Sequence, residues 1–268
     1  MTFQSRPGLR VEEVISKGGP EAQKSLKKKL KSLLARYRLL GLALELRDLR
    51  RVGRGVGRRM LRIDRRNIKK YLSTHEVRRL HLGAGEHTIE GWLNSDIFPV
   101  GSEIFIDASR PFPIEGSTFD YIFSEHMIEH VPYQDGIRML SECYRVLKPG
   151  GRIRIATPNL AFLINLYRAE KSAAEENYIA WHVTKWDPDA GYSGSVFVIN
   201  DFFRLWGHQF IYDEAALGKA LGRAGFRDVV ALPLSDSPDE NLRGLENARV
   251  RPEGFLALET LVLEARKP

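Results

Sequence analysis

A glycine-containing turn and a nearby carboxylate are the residues of this chain best suited to bind a ligand. The apolar run Leu80–Leu82 ends in Gly83-Ala84-Gly85. Glycine lets the backbone approach a ligand closely, because it has no Cβ and accepts positive φ. Asp96 follows thirteen residues after Gly83. A carboxylate at the tip of the next strand can accept two hydrogen bonds from a ribose diol. Together these residues predict a nucleoside-type cofactor.

Further motifs follow the turn in a recognisable order. They are Asp107-Ala108, Phe119-Asp120-Tyr121-Ile122, the run Ser124-Glu125-His126-Met127-Ile128-Glu129-His130, and Arg145-Val146-Leu147-Lys148-Pro149-Gly150-Gly151. In this order they resemble the class I S-adenosylmethionine-dependent methyltransferases, in particular the type 11 group. The resemblance covers about Val77–Asn159, and its most specific part is the run that ends in Lys148-Pro149-Gly150-Gly151.

The resemblance implies S-adenosylmethionine as the cofactor and places its binding residues. The glycine turn would lie under the methionine portion, Asp96 would bind the ribose, and Asp107 would lie beside the adenine. The residues past the fourth strand would line the wall near the sulfonium. The full implied set is Gly83, Ala84, Gly85, Asp96, Ile97, Asp107, Ala108, Ser124, Glu125 and His126.

The chain departs from the common pattern between the glycine turn and the second strand. Only Glu86–Trp92 lie there, too few for a helix of three turns with its loops. This shortened crossover resembles a bacterial subset of the form LGxG…GWxNxD, often thought to act on surface sugars or lipids.

Methyl transfer needs a general base only when the acceptor is a hydroxyl or a protonated amine. The catalytic candidates are His126, Glu125 and His208, with Glu125 and Glu129 as orienting partners of a histidine. If a helix begins at 127–131, His126 and His130 share one of its faces. No metal site is predicted, because nothing supplies the ligands that these histidines and Glu129 would lack.

Structural alternatives stay open for the same residues. The glycines can form a plain tight turn, and Asp96 can be a turn or cap residue. Asp107 can cap the turn Ser109–Pro113, His126 can be a wall residue, and His130 can pack beneath the cofactor loop.

The composition indicates a globular protein with one full α/β domain and an extension. The chain has 268 residues, 43% of them hydrophobic. No run approaches the roughly 18 apolar residues of a spanning helix. Residues 1–19 lack an apolar signal core, so secretion is not expected. Cys143 is the only cysteine, which excludes disulfide scaffolds and fits a cytoplasmic protein.

The net charge of +7 is unevenly distributed. Residues 24–70 carry 18 Lys or Arg against three acids, whereas residues 71–268 carry 20 basic and 28 acidic side chains. The basic arm favours an anionic partner: a membrane surface to which the protein would be peripheral, a partner protein, nucleic acid, or the domain's own acidic face. Its apolar stripe from Leu26 to Leu44 predicts a helix that packs on the domain or on a twin helix in a homodimer.

Short apolar strands that alternate with helices predict a Rossmann-like, mostly parallel sheet with helices on both faces. Residues 1–70 are expected to form a basic, partly helical extension and residues 71–268 the domain. An aromatic-rich insertion at about 171–211 shows little periodicity. It is either a lid over the acceptor or a helical cap with its own core.

Three functions remain open from the sequence. The first is a methyltransferase for a small-molecule, sugar or glycolipid acceptor. The second is an RNA methyltransferase that uses the basic arm; against it, the basic charge is confined to the arm. The third is a non-catalytic nucleotide-binding scaffold; against it, Gly83, Asp96 and Asp107 are all present. The first is the prediction.

Overall fold

The structure, a computed structural model, describes residues 63–99 and 103–268. Its strands are β1 Arg79–Leu82, β2 Leu93–Asp96, β3 Ile104–Phe105, β4 Phe119–Glu125, β5 Leu147–Pro158, β6 Arg227–Ala231 and β7 Thr260–Arg266. Its helices are α1 Ile63–Thr74, α2 Tyr133–Val146, α3 Leu160–Asn165, α4 Ala173–Trp186, α5 Ser195–Arg204, α6 Glu214–Ala224 and α7 Phe255–Glu259. Short 3₁₀ turns lie at Ile128–His130 and Ala248–Val250.

All seven strands form one sheet, in the order β3-β2-β1-β4-β5-β7-β6. The first five strands are parallel to their neighbours, and β7 runs antiparallel to both β5 and β6. The strand order reverses between β1 and β4, so the carboxyl ends of these strands border the crevice where ligands bind in open α/β sheets. The predicted Rossmann-like, mostly parallel fold is confirmed.

The connection from β1 to β2 contains no helix, as its length predicts. Gly83 and Ala84 both donate their backbone N–H to the carbonyl of Ser95, at 2.9 Å each, which ties the turn to β2. The side chain of Asn94 accepts from the N–H of Ile89 and donates to its carbonyl. Asn94 therefore holds the shortened crossover in place by satisfying backbone groups that a helix would pair internally.

The main core lies on the face of the sheet that carries Leu80, Ile122 and Ile153. Apolar side chains of α2 and α6 pack against it, among them Met139, Leu140, Cys143, Leu217 and Leu221. Burial of such side chains contributes about 1.5–3 kcal/mol each. Gly225 closes α6 at a φ of 107°, as the sequence predicts for a helix that Asp213 caps.

The opposite face is covered by irregular segments rather than by helices near β1 and β4. Phe123 of β4 packs there with Trp92 and Leu242. On β5, the fully buried side chain of Arg154 pairs with Glu246 at 2.6 Å and Glu264 at 2.7 Å. The loop that follows β6 thus covers the sheet face for which helices were predicted. Its apolar side chains pack against the apolar residues of this face, and its acidic side chain pairs with Arg154.

The most specific sequence motif, which ends in Lys148-Pro149-Gly150-Gly151, is structural. The Arg145 guanidinium pairs with Glu142 and donates to the carbonyls of Ile114 and Phe112. Lys148 pairs with Asp120 at 2.8 Å. A Cβ on Gly151 would lie 2.9 Å from the carbonyl oxygen of Lys148. The motif therefore joins α2 and β5 to the sheet.

The residues Pro149-Gly150-Gly151 belong to β5, which begins at Leu147. Gly150 adopts a φ of 81° and donates its N–H to the carbonyl of Lys267, whose own N–H donates to Gly151. These bonds continue the ladder between β5 and β7, which sequence proximity alone does not reveal.

Helix α1 packs against the domain, with Ile68 and Tyr71 buried in the main core. The Tyr71 hydroxyl donates to the carbonyls of Arg79 and Gly91, at 3.0 Å each. The predicted boundary at residue 70 falls within this helix. The apolar stripe of the basic arm lies outside the described residues.

The aromatic-rich insertion is helical, contrary to its weak periodicity. It contains α4 and α5, whose buried side chains Tyr178, Ile179, Val183, Val198 and Phe202 form a separate core with Phe162, Leu163, Leu166 and Ile211. Tyr178 donates to Glu259 of α7, which also pairs with Arg251 at 3.0 Å. We call residues 160–211 the cap. The buried residues of α4, Tyr178, Ile179, His182 and Val183, share one face, but this face includes the polar His182, which obscures the apolar 3.6-residue period in the sequence. No helix among the described residues is long and apolar enough to cross a membrane.

The buried His81 of β1 makes stability sensitive to acid. Burial lowers the pKa of His81 to about 4, although its hydrogen bond with Asn94 opposes this shift. His87 is the other histidine ring beside it, 5.8 Å away. The unfolded chain binds a proton near pH 6.5, so the stability that neutral His81 contributes is complete above that pH and is lost as the pH falls towards 4.

We expect the free energy of unfolding to decrease by roughly 2–3 kcal/mol across this window. Urea unfolding at pH 7, 6, 5 and 4.5 measures the decrease. The variant His81→Gln should show a smaller decrease than the parent protein, and equal slopes would contradict the assignment to His81.

Candidate functional site at the carboxyl ends of β1, β2 and β4

The glycine turn lies where the prediction places it, directly after β1. Gly83 and Gly85 have φ angles of 78° and 54°, a region that side chains disfavour. A Cβ on Gly83 would lie 2.4 Å from Cγ of Met127, whereas a Cβ on Gly85 would meet nothing within 4 Å. Gly83 is thus needed for packing against Met127, and Gly85 leaves open space in front of the turn.

Asp96 lies at the carboxyl end of β2, beside this turn. Its carboxylate accepts from the N–H of Gly85 at 3.0 Å and from the N–H of Phe98 at 2.7 Å. A carboxylate offers about four lone-pair sites, so acceptor capacity remains for a diol. Ile97 follows in the chain and is half-buried. Asp96 can thus hold the turn and still accept hydrogen bonds from a ribose diol.

Asp107 lies two residues beyond the end of β3, which is shorter than predicted. One carboxylate oxygen accepts from the N–H and the hydroxyl of Ser109, and the other lies 3.4 Å from Arg110. In this structure Asp107 therefore caps the turn that begins at Ser109, which is the structural alternative to a role at the adenine. Ala108 is buried beside it. Their role beside the adenine stays a prediction.

Glu125, at the end of β4, is held away from His126. Its carboxylate accepts from the N–H of Asn247 at 3.0 Å and lies 3.3 Å from Nδ1 of His87. Burial raises the pKa of Glu125, and the nearby charge of His126 and the bond from Asn247 partly offset this shift. The expectation that Glu125 orients a catalytic histidine is not met, because its oxygens already have these partners.

His126 pairs instead with Glu129. Nδ1 of His126 lies 3.3 Å from the Glu129 carboxylate, whose side chain is fully buried, while His126 keeps 26% of its side chain exposed. The Thr157 hydroxyl donates to the other oxygen of Glu129 at 3.0 Å. His126 has a φ of 45°, unusual for a residue with a side chain and frequent at functional sites.

The two charges support one another in this pair. Burial disfavours the charged imidazole, but the hydrogen bond and the charge of Glu129 outweigh it and raise the pKa of His126. Burial likewise disfavours the carboxylate, yet the hydrogen bond and charge of His126 lower the pKa of Glu129. A basic imidazole oriented by a buried carboxylate can accept a proton from a substrate.

His208 reaches the same carboxylate from the cap. The backbone carbonyl of Glu129 accepts from the N–H groups of Gln209 and Phe210, at 2.7 and 3.2 Å. The His208 ring lies 5.0 Å from that of His130. Burial lowers the pKa of His208. The condition for His126 and His130 to share a helix face is not met, since a 3₁₀ turn forms at Ile128–His130.

Glu129 is expected from the sequence only as an orienting partner, and the structure makes it the acid that pairs with His126. Its signal in the sequence is an acid three residues after His126, between the apolar Ile128 and the polar His130. A buried acid in such a context requires partners. His126 and Thr157 are those partners, and Thr157 lies at the end of β5, out of reach of local sequence reasoning.

Ser124 is the remaining predicted binding residue. It is buried at the end of β4, and its hydroxyl has no hydrogen-bond partner among the described residues. A buried hydroxyl without a partner is costly and is frequently satisfied by a ligand or water. With the open space at Gly85 and the acceptor capacity of Asp96, this hydroxyl makes the crevice chemically suitable for S-adenosylmethionine.

Residues 100–155 match the sequence profile of the family described as Methyltransferase domain. This stretch is similar to methyltransferase domains. The match includes β3, β4, α2 and the start of β5, and it confirms the resemblance to the S-adenosylmethionine-dependent class I methyltransferases. The match favours an enzyme of this class, with S-adenosylmethionine as the expected cofactor. The narrower subset defined by LGxG…GWxNxD stays a prediction.

Solved methyltransferase structures resemble this chain at low identity. A methyltransferase from Archaeoglobus fulgidus is 21% identical, with a TM-score of 0.42, over 78% of this chain and 94% of that one. A possible histamine N-methyltransferase from Thermotoga maritima is 18% identical, with a TM-score of 0.40, over 78% and 94%.

A phosphoethanolamine N-methyltransferase from Haemonchus contortus, solved with S-adenosylhomocysteine, is 15% identical, with a TM-score of 0.39, over 76% and 52%. This chain thus spans about half the length of that relative. No curated protein sequence matches the chain. The acceptors of these enzymes therefore do not transfer to it.

The variant Asp96→Ala should bind S-adenosylmethionine about 1.5–3 kcal/mol more weakly than the parent protein, the cost of hydrogen bonds to a charged group. Isothermal titration calorimetry measures the difference. Asp228→Ala, which removes an exposed carboxylate from β6, is the control and should leave the affinity unchanged. An unchanged affinity in Asp96→Ala would contradict the ribose role.

Proposed function

We propose that this enzyme transfers the methyl group of S-adenosylmethionine to a hydroxyl or amine of a small-molecule, sugar or glycolipid acceptor. The observation that carries this proposal is the pair of His126 and Glu129 at the carboxyl end of β4. Such a pair is required only when the acceptor must lose a proton.

The residues of the crevice have different roles in the proposed reaction. S-adenosylmethionine supplies an electrophilic methyl group on its sulfonium. His126 accepts the proton that the acceptor loses as its new bond to carbon forms. Glu129 keeps the imidazole oriented and stabilises the imidazolium through its negative charge. Asp96, the glycine turn and Ser124 hold the cofactor, which makes the displacement effectively intramolecular.

A small acceptor is supported by the cap. The cap joins the β4 end through the two backbone bonds to Glu129, and so it places a helical layer beside the reacting end of the crevice. Layers of this kind exclude water from a reaction. A short acceptor or the headgroup of a lipid fits such a place better than a folded polymer.

A glycolipid acceptor is supported by the exposed apolar side chains of the cap. Among the described residues, most of the large exposed hydrophobic side chains lie between 164 and 206, including Ile164, Tyr167, Tyr192, Val196 and Phe203. Aromatic residues of this kind are enriched at membrane interfaces. Together with the basic residues of 24–70, they favour binding to an anionic membrane surface. The enzyme would then be a cytoplasmic protein that associates peripherally with the membrane.

Vesicle binding tests this location. The full chain should sediment with vesicles that contain an anionic lipid and less with neutral vesicles. Phe203→Asp, which places a charge on the exposed side of α5, should weaken the binding, while Glu176→Gln on α4 should not. Equal binding of both variants would contradict a role of the cap at the membrane.

The acceptor is identified most directly with isotopically labelled cofactor. Cell extract is divided into lipid, small-molecule and RNA fractions, and each is incubated with the full chain and labelled S-adenosylmethionine. We expect label in the lipid or small-molecule fraction by mass spectrometry. Label in RNA alone would replace the proposal with RNA methylation. Absence of cofactor binding at millimolar concentration would favour a non-catalytic scaffold.

A further inference from the structure

Glu129, His130 and His208 form a cluster that the proposed reaction uses only in part. One ligand-capable atom of each residue lies within 4.8 Å of those of the other two. Glu129 is fully buried, His208 is half-buried and His130 is exposed, so the cluster opens outward on one side. Two imidazoles and a carboxylate form a ligand set of known affinity for divalent transition metals.

Backbone contacts hold this cluster in place. Two N–H groups directly after His208, those of Gln209 and Phe210, donate to the carbonyl of Glu129 and fix the cap segment to the β4 end. These bonds set the position of the His208 segment relative to Glu129 in the folded chain.

The surroundings of the ligands orient them. Nδ1 of His208 lies 2.7 Å from the carbonyl of Phe202. A carbonyl only accepts, so Nδ1 carries the proton and the lone pair lies on Nε2. The Thr157 hydroxyl donates to the carboxylate of Glu129. Partners of this kind orient histidine and carboxylate ligands in metal sites.

We propose that Glu129, His130 and His208 bind one divalent first-row transition metal ion, with Zn²⁺ as the ion of choice. Three protein ligands leave a tetrahedral ion with one open position for water or substrate, the arrangement of catalytic zinc sites. The exposed side of His130 is the side from which that ligand enters.

The use of the open position rests on the proposed function. An acceptor hydroxyl bound there would lose its proton more readily, because the ion stabilises the oxyanion. The proton would pass to His126, which pairs with the same carboxylate. The ion would therefore select acceptors whose methylated atom is a hydroxyl oxygen, such as a sugar hydroxyl.

Cobalt titration of the full chain without an affinity tag tests the site. The protein is first dialysed against EDTA and then against buffer, and Co²⁺ binding is followed by visible d–d absorption. We expect one Co²⁺ per chain, displaced by one equivalent of Zn²⁺. His130→Asn and His208→Asn should each weaken binding roughly tenfold or more. His75→Asn, next to α1, is the matched control and should bind as the parent protein does.

The outcomes separate this inference from the proposed function. Failure of the parent protein to bind Co²⁺, or equal affinity in all three histidine variants, would overturn the metal site. Calorimetry with S-adenosylmethionine should give the same cofactor affinity for all three variants, which shows that they are folded. Methyl transfer that persists undiminished after EDTA treatment would overturn the role of the ion while the proposed function stands.

Discussion

The variant His126→Ala should lose methyl transfer by roughly 10²–10⁴-fold while it binds S-adenosylmethionine as the parent protein does. The reason is the position of its imidazole, oriented by the buried Glu129 and partly exposed at the end of β4. Removal of a base raises the barrier of the chemical step and leaves binding of the cofactor intact. Steady-state kinetics with the identified acceptor, together with calorimetry for the cofactor, measures both quantities.

A second substitution separates chemistry from backbone strain. His126 has a φ of 45°, which alanine adopts at a cost of about 1–2 kcal/mol. Asparagine tolerates this conformation better and is no general base. His126→Asn should therefore show the same loss of turnover with a smaller loss of stability. If both variants lose cofactor affinity and turnover in equal measure, His126 is a wall residue and not a base.

The variant Arg154→Ala should be destabilised by about 3–5 kcal/mol, the largest effect on stability that we expect from one substitution. Arg154 is fully buried on β5 and pairs with the buried carboxylates of Glu246 and Glu264. Its removal leaves two negative charges without a counter-ion in an interior that does not solvate them. Urea unfolding at pH 7, followed by circular dichroism, measures the loss.

The neighbouring arginine of the same strand is the matched control. Arg152 keeps 41% of its side chain exposed and lies 3.5 Å from Asp239, so Arg152→Ala should cost about 0–1 kcal/mol. A further variant combines Arg154→Met with Glu246→Gln and Glu264→Gln. It removes all three charges and should be more stable than Arg154→Ala. Equal losses of stability in Arg152→Ala and Arg154→Ala would show that the buried ion pairs of Arg154 contribute no more than an exposed ion pair.

Elements that depend on local patterns could be predicted from the sequence. The positions of β1, β2 and α6 follow from short apolar runs and from the residues that cap or break a helix, such as Asp213 and Gly225. The absence of a helix between β1 and β2 follows from chain length alone. The turn at Gly83 and the carboxylate of Asp96 meet at the same edge because parallel strands end together.

Elements that depend on contacts between distant segments could not be predicted from the sequence. The cap was predicted only as an alternative, because the aromatic residues of α4 and α5 form a core whose periodicity is hidden along the chain. The covering of one sheet face by the loop that carries Leu242 and Glu246 has no local pattern at all.

The sequence by itself determined the parallel sheet, and it indicated the family resemblance and the residues proposed to bind the cofactor, since these are carried by contiguous motifs with fixed spacing. The tertiary structure alone decided which acid orients His126. Glu125 and Glu129 are both acids close to His126 in sequence, but Asn247 and His87 hold Glu125 whereas Thr157 directs Glu129 to the imidazole. It also decided that His208 lies beside His130, because side chains 78 residues apart meet only when the cap folds back onto the end of β4.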